Sequence, residues 1–464
     1  LASCAVNPVT GKSELMLLSD EQEIKLGKRT DTQIIKEYGI YDDPELNAYV
    51  NRLCQRLAAL SHRPDLHYQA KVLDVSVVNA FAVPGGYVYF TRGILAYLNS
   101  EAELAGVVGH ELGHITARHS AQQYSRAQLA QIGLGIGMVL SDTLRDFSEL
   151  AQFGVGALFL KFSRDNERQA DDLGVDYASK AGYDASRLAE FFGTLERLHP
   201  KTDRSGLPTW LSTHPNPVDR QGAVRRKAGE WQQRLGLSDW KVDRDPYLSR
   251  IDGMVFGEDP RQGYVEDNVF YHPELGFQFP VPADWKLQNT PSAVGMQSKR
   301  KDAAIHFSIT KAYSPTEAAK RFVRESRTAV IDSGRLQVNG LPAFRLLSQL
   351  RSREGVLEVL SYFIQKDNLV YVFHAYTSVG LFHGYRPTFE TTIMGFRGLS
   401  DPSRINVRPD RIRIYSTQAE GTLRAALLAL GVSADELEKT AVLNGKNLGD
   451  RIPANTLLKV IEKG

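Results

Sequence analysis

The stretch from Ser100 to His119 constrains the fold more than any other. Leu104, Ala105, Val107, Val108, Leu112 and Ile115 recur in it at helical spacing, which predicts a mostly buried helix. The same helix carries His110, Glu111 and His114. Residues four apart share a helical face, so His110 and His114 can direct both imidazoles at one zinc ion. Glu111 points about a quarter-turn from His110, beside such an ion rather than on it, where its carboxylate can take a proton from water that the metal activates.

Two histidines leave zinc undercoordinated, and catalytic sites usually add a third protein ligand. The acidic segment from Asp165 to Asp172 supplies it: Glu167 lies 53 positions after His114 (167 minus 114), and Asp171 lies one helical turn further along the same face. Glu167 is expected to ligate zinc, and Asp171 to accept a hydrogen bond from a ligand histidine's other nitrogen, fixing its tautomer. The bland alternative is a solvated acidic helix face. Gly106, Gly109 and Gly113 cluster within about 60° on the helix wheel. Each costs about 1 kcal/mol relative to alanine, so the stripe predicts close approach of another backbone, with the Glu167 helix as the candidate.

The 464 residues, 42% hydrophobic and 24% charged, suit two or three globular domains. With 56 basic against 54 acidic residues the formal charge is only +2, which gives no sequence-wide case for a nucleic-acid partner. The longest apolar or glycine run, Ile132 to Leu140, is nine residues; a spanning helix needs about 20. The wider apolar stretch Leu129 to Leu140, with Gly133, Gly135 and Gly137, reads as a core helix, against a plug over the cleft or a membrane-touching surface. Membrane attachment is therefore expected through a lipid anchor alone. Leu1-Ala2-Ser3-Cys4 resembles a bacterial lipobox, in which a signal peptide is cut before a cysteine that is then acylated. On that reading Cys4 is the lipidation site, and Ala5 after it resembles the pattern that directs lipoproteins to an outer membrane. Cys54 is then the only thiol left, and no intramolecular disulfide can form.

Residues 1–18 read as lipobox remnant and tether. A domain over 19–250 begins with helix-period positions from Ser19, the expected cap, to Leu60. Val-, Tyr- and Phe-rich runs at Tyr68 to Val78 and Gly86 to Thr91 flank Pro84-Gly85-Gly86, which predicts a small sheet with a hairpin. The zinc helix follows, and the stretch up to Phe162 is also expected to be helical. After a break near Asp245 to Pro260 the pattern turns to alternating strands, a mixed α/β domain over 265–398, where His306 and His374 read as satisfied strand positions. A linker, Asp401 to Pro409, leads into a last domain over 405–464.

Four motifs in order, Val78-Asn79-Ala80-Phe81-Ala82-Val83-Pro84-Gly85-Gly86, His110 to His114, Glu167-Arg168-Gln169-Ala170-Asp171, and Thr213-His214-Pro215-Asn216-Pro217 with Arg220, resemble the HtpX-like and CAAX prenyl protease family of zinc metallopeptidases, most closely its soluble bacterial envelope (BepA-like) branch. The resemblance covers roughly Ser19 to Lys227. It implies a multidomain α+β chain led by a mainly helical zincin domain of gluzincin type, with one zinc per chain on His110, His114 and Glu167 and with Glu111 as general base. It implies that Asn79, Ala80, Phe81 and Ala82 form an edge strand to which extended substrate adds. It also brings His214 and Arg220 close to the metal, either to stabilise an oxyanion or, for His214, as a fourth ligand holding the enzyme latent. The expected substrates are unfolded or misassembled envelope proteins in the bacterial periplasm.

The last 60 residues resemble a LysM-type module, through Glu420-Gly421-Thr422-Leu423, Val432-Ser433, Leu443-Asn444-Gly445 and Ile452-Pro453-Ala454, which implies two strands around two helices and peptidoglycan as a partner. The middle domain resembles photosystem PsbP-like proteins through His272-Pro273-Glu274-Leu275-Gly276-Phe277. Two rivals to the peptidase stand beside it: an assembly factor or chaperone with a latent zinc site that binds clients at the edge strand, and a peptidoglycan-tethered binding protein.

Overall fold

The computed structural model describes residues 3–16, 18–123, 125, 162–198, 209–214, 219–352 and 355–464. The expectations for Leu129 to Leu140, for the helical stretch up to Phe162 and for the Cys4 side chain fall outside what is described.

The segment read as a tether is a hairpin. β1 (Ser3–Val6) pairs antiparallel with β2 (Ser13–Met16). Buried Asn7 donates to Ala117 O at 3.2 Å, which docks the hairpin on the end of the zinc helix. Ser19 then caps α1 (Asp20–Tyr38) by a reciprocal box, its hydroxyl accepting from Gln22 N–H while the Gln22 amide accepts from Ser19 N–H. Asp43 caps α2 (Pro44–Ala58), with Pro44 at the first helical position.

The small sheet has the order β3-β5-β4, from β3 (Gln69–Leu73), β4 (Ala80–Val83) and β5 (Tyr87–Thr91). The hairpin joins β4 to β5, whereas β3 runs parallel to β5. The hairpin itself is made by β4, and the Tyr68 to Val78 run therefore corrects to a shorter strand that meets β5 in parallel. Its outer edge is closed by α2, where Asn51 and Asn47, four apart on one face, accept from Ala70 N–H and Val72 N–H at 2.9 Å each. At the hairpin turn Gly86 has φ +98°, and a Cβ there would lie 2.4 Å from His67 O, so only glycine fits.

Then come α3 (Arg92–Tyr97) and α4 (Glu101–Thr116), the latter capped by Ser100 and buried at every residue from Ala102 to Thr116. The zinc helix thus stops three residues short of His119. Next are α5 (Arg164–Lys180), α6 (Arg187–Arg197), α7 (Thr209–Thr213), α8 (Arg220–Leu235) and α9 (Arg244–Ile251). Tyr247, Leu248, Ile251 and Met254 share the core of α2 and α4, and the Tyr247 hydroxyl donates to Leu95 O at 2.6 Å. The first unit accordingly runs past residue 250.

The middle unit has its own aromatic core. It contains β6 (Tyr264–Glu266), β7 (Val269–His272), β8 (Phe277–Pro280), β9 (Lys286–Thr290), β10 (Ala293–Gln297), β11 (Ala303–Thr310), α10 (Pro315–Ser326), β12 (Ala329–Val338), β13 (Leu341–Ser352), β14 (Gly355–Lys366), β15 (Leu369–Ser378), α11 (Val379–Met394) and β16 (Arg397–Gly398). A seven-stranded antiparallel sheet, β12-β13-β14-β15-β11-β10-β9, faces a four-stranded one, β16-β8-β7-β6, across that core. His374 and His306 are opposed on β15 and β11, and His374 Nδ1 meets Ser361 Oγ at 2.8 Å.

The last unit pairs β17 (Arg411–Ser416) with β20 (Leu457–Glu462) and β18 (Gly421–Thr422) with β19 (Arg451–Ile452), around α12 (Leu423–Ala429) and α13 (Leu437–Leu443). It is joined firmly to the first unit. Ile412 and Leu443 belong to that unit's core, and Ile412 exchanges backbone hydrogen bonds with Met254 and Gly253 at 2.9 and 2.8 Å. Lys459 is 0% exposed and donates from Nζ to Ala96 O and Leu98 O, at 2.7 and 2.8 Å. A lysine is rarely buried without such partners, and these carbonyls form the negative end of α3. Burial also pushes the Glu103 carboxyl of α4 up to about 7, with Lys459 among the charges that oppose the rise. Replacing Lys459 by Met leaves two buried carbonyls without donors, an expected loss of about 2–4 kcal/mol. Urea denaturation of the full chain measures it, and an unchanged midpoint would mean that Lys459 does not fasten the last unit.

Candidate metal centre

The site is set by how closely α4 and α5 cross. A Cβ on Gly109 would lie 2.7 Å from Gly174 O, and one on Gly113 would lie 3.0 Å from Ala170 Cα. Gly106 instead meets Leu188 of α6 at 2.8 Å, so two glycines of the stripe face the Glu167 helix and the third faces its neighbour. Ser163 caps α5, accepting from Asn166 N–H at 3.2 Å, which puts Glu167 in the first turn, close above the crossing.

His110, His114, Glu167 and His214 offer donor atoms that all lie within 4.8 Å of one another, and all four are buried. His110 Nε2 is 3.1 Å from His114 Nε2 and 3.2 Å from His214 Nδ1. Glu167 oxygens lie 3.6 Å from His110 Nε2, 3.5 Å from His114 Nε2 and 3.0 Å from His214 Nδ1. Four ligands about 2.0–2.1 Å from a tetrahedral zinc are about 3.3 Å apart, so the donor set has the right size for that ion. Its charge fits as well. Glu111, Glu167 and Asp171 are three buried carboxylates beside one guanidinium, Arg220; three minus one leaves two negative charges, which a divalent cation balances.

Asp171 lies against His110. Its Oδ1 is 2.9 Å from His110 Nδ1, so Nδ1–H donates to the carboxylate and Nε2 keeps its lone pair for the cluster. Arg220 holds Asp171 in turn by a two-pronged contact, Nε to Oδ2 at 2.6 Å and Nη2 to Oδ1 at 2.7 Å. The guanidinium also sits over the rings of Phe192 and Trp210, 4.2 and 4.7 Å from their centroids. Burial acts to raise the Glu167 and Asp171 carboxyls. His214, His110 and Arg220 outweigh it at Glu167, and Arg220 and His110 at Asp171, holding both below the ordinary range. Glu111 differs: burial dominates and lifts its carboxyl above that range, and neither of its oxygens has a hydrogen-bond partner among the described residues. His214 Nε2 lies 3.7 Å from one of them.

Among the described residues, Asn79 to Ala82 lie on or beside β4, at the edge of the sheet, and are at most 4% exposed. Asn79 O accepts from Thr91 N–H, so by the alternation of an antiparallel ladder Ala80 and Ala82 turn their main-chain groups away from β5. Just before them, Val78 O accepts from Trp210 N–H at 3.1 Å, four residues ahead of His214. Sequence reasoning missed Trp210, Phe162, which stacks on His114 at 3.9 Å between centroids, and the pair His119 and Gln169 beside His114. Only a histidine five places past the motif hinted at the last pair; the others are brought in by tertiary folding.

Comparison with known proteins matches the family model for peptidase family M48 to residues 44–228, a span that holds every residue of this cluster. The beta-barrel assembly-enhancing protease of Escherichia coli (strain K12) is 28% identical over 253 residues, 52% of this chain and 50% of that protein. A Vibrio cholerae protein bearing a provisional form of the same name is 30% identical over 248 residues, 51% of each chain. The chain thus spans about half the length of these two relatives. The mitochondrial metalloendopeptidase OMA1 of Schizosaccharomyces pombe is 31% identical over 248 residues, 52% of this chain and 71% of that one. Cyanobacterial PsbP from Synechocystis sp. PCC 6803 is 15% identical, covering 28% of this chain and 91% of its own, with a TM-score of 0.25, which carries no argument about the middle unit. Two histidines on a buried helix, a glutamate on the helix crossing it and relatives that share this half of the chain agree: the chain belongs to peptidase family M48.

Proposed function

We propose that this chain is a zinc-dependent endopeptidase that hydrolyses peptide bonds of misfolded or misassembled cell-envelope proteins in the bacterial periplasm. The observation that carries this reading is the four-donor cluster pressed against Glu111, a buried carboxylate with no hydrogen-bond partner among the described residues. The envelope substrate class draws on the names of the bacterial relatives. Outer-membrane attachment through Cys4 and peptidoglycan binding by a LysM-like last unit complete the proposal.

His110, His114 and Glu167 would hold the metal, and zinc so held supplies Lewis acidity, easing deprotonation of water and charge build-up on a carbonyl oxygen. Glu111 takes the proton of the attacking water and hands it to the leaving amine. Asp171 keeps His110 in the tautomer that presents Nε2. We assign Arg220 to clamping Asp171 rather than to the oxyanion, because Nε and Nη2 of its fork are already engaged. Among this chain's own residues, oxyanion stabilisation then falls to His214, and a bound zinc would add its Lewis acidity. An extended substrate would add at the outward main-chain groups of Ala80 and Ala82, beside Asn79 and Phe81, by strand pairing.

A second reading, an assembly factor with a latent zinc site, is favoured by one observation: His214 stands among the donors as a fourth, which would close the metal's open position. Cleavage of an unfolded model protein separates the two. The wild type is expected to cut, and Glu111→Gln to cut at least about 100-fold more slowly, with one zinc bound to each. Zinc-loaded wild type that retains clients without cutting would favour the latent reading, and equal cutting by both would sink the role of Glu111. For the clamp, Arg220→Met strands the buried Asp171 carboxylate, an expected loss of about 3–5 kcal/mol in the metal-free protein. A urea midpoint equal to wild type would show that Asp171 needs no clamp.

A further inference from the structure

α4 does not run on to His119. It ends at Thr116, Arg118 takes φ +59°, and helical geometry resumes at His119. In an uninterrupted helix His119 would be rotated about 140° from His114 and would face away from it. The left-handed residue turns it back, so that the two rings lie 5.0 Å apart and the two Nδ1 atoms 3.0 Å apart. An arginine rarely adopts such a φ unless its surroundings impose it. Here they do: Arg118, 5% exposed, donates from Nε to Glu23 Oε1 at 3.0 Å and from Nη2 to Leu18 O at 3.0 Å, and lies 3.1 Å from Asp20. Glu23 is itself held by Arg63 at 3.2 Å. The start of α1 thus locks the turn that aims His119.

The far side of His119 is equally determined. Its Nε2 lies 2.9 Å from Gln169 Oε1, on α5 between Glu167 and Asp171. An amide oxygen can only accept, so His119 Nε2–H donates and Nδ1 carries the lone pair. The hydrogen bond to His114 then requires that His114 Nδ1–H be the donor, which leaves the lone pair on His114 Nε2, the atom 3.1 Å from His110 Nε2 and 3.5 Å from Glu167. The same helix therefore orients both histidines, His110 directly through Asp171 and His114 through Gln169 and His119.

We propose that His119, held by Gln169 and aimed by the left-handed turn at Arg118, is a positioning residue that fixes the tautomer and ring plane of His114 for metal binding. The proposal rests on the zinc-centre reading above. It is tested on the full chain by zinc affinity, from competition with a chromophoric chelator, and by the visible spectrum of the cobalt(II)-loaded protein, which reports ligand geometry. His119→Phe fills the space without an acceptor and is expected to weaken zinc about 10–100-fold and to shift the cobalt bands. His119→Asn, whose Oδ1 can take the place of Nδ1, is expected to recover most of that loss. Gln169→Leu leaves the ring in place and should also weaken binding, whereas Gln169→Glu should keep it, a pair that serves even where His119→Phe fails to fold. A wild type that binds no zinc would overturn the centre itself, and this role with it. A wild type that binds, with Gln169→Leu and Gln169→Glu matching it in affinity and cobalt spectrum, would overturn the role of His119 alone.

Discussion

Everything at the centre depends on how near two helix backbones come at Gly109 and Gly174. Helices in contact through side chains run about 8–10 Å apart, and a side chain as short as aspartate reaches across only at the close end of that range. With no Cβ on either residue at the crossing, α4 and α5 approach until Gly174 O would stand 2.7 Å from a Cβ on Gly109. Just past Gly109 on α4 and within two turns before Gly174 on α5, the two histidines then meet Glu167 and Asp171. An alanine at either glycine would press the helices apart by the same few tenths of an ångström that separate a hydrogen bond from a mere neighbour. The glycines cost helix propensity, and the close contact they permit is what that cost secures.

Such a site is rigid because it is supported from outside the peptidase helices as well. Arg220 arrives from α8 onto Asp171, flanked by Phe192 and Trp210, and the desolvated setting strengthens each of these charge contacts. At the other end of α4, Lys459 of the last unit fastens to the carbonyls that close α3, beside Glu103. The last unit is in this sense part of the peptidase scaffold, and removing it would uncover the part of the first unit's core that Ile412 and Leu443 fill.

What was legible in the sequence is what helical periodicity encodes. His110, Glu111 and His114 are local, and Glu167 with Asp171 follows from the same four-residue spacing once a third ligand is demanded. The cap at Ser19 and the Pro84–Gly86 turn were equally local, one a short-range hydrogen bond and the other a required φ. The rest depended on long-range contacts. That Tyr68 to Val78 shortens to a strand parallel to β5 follows from asparagines of α2, some 20 residues earlier, closing its edge. That α4 breaks before His119 follows from Glu23, nearly a hundred residues away, holding an arginine with no glycine or proline to signal the turn. The packing of Ile251 and Met254 into the core of α2 and α4, which carries the first unit past 250, is likewise invisible to composition.

The segment from Trp210 to His214 links two features that the proposed function treats separately. Its first residue occupies Val78 O, at the start of the edge strand, and its last lies among the metal donors. A peptide that paired with Val78 would have to displace Trp210 N–H, and α7 is too short to yield at one end while staying fixed at the other: His214 N–H bonds to Trp210 O at 2.8 Å. On the proposed function, strand addition that reaches Val78 and the position of His214 would draw on one equilibrium. A substrate shifts that equilibrium only by the difference in its affinity for the two arrangements, and moving it from 1:99 to 99:1 would take about 5.5 kcal/mol. A few added main-chain hydrogen bonds at about 1 kcal/mol each fall short of that alone, so on this geometry side-chain contacts of the client must supply the remainder. The closed and open forms then differ in which clients can open the site, and the latent and proteolytic readings become two ends of one balance.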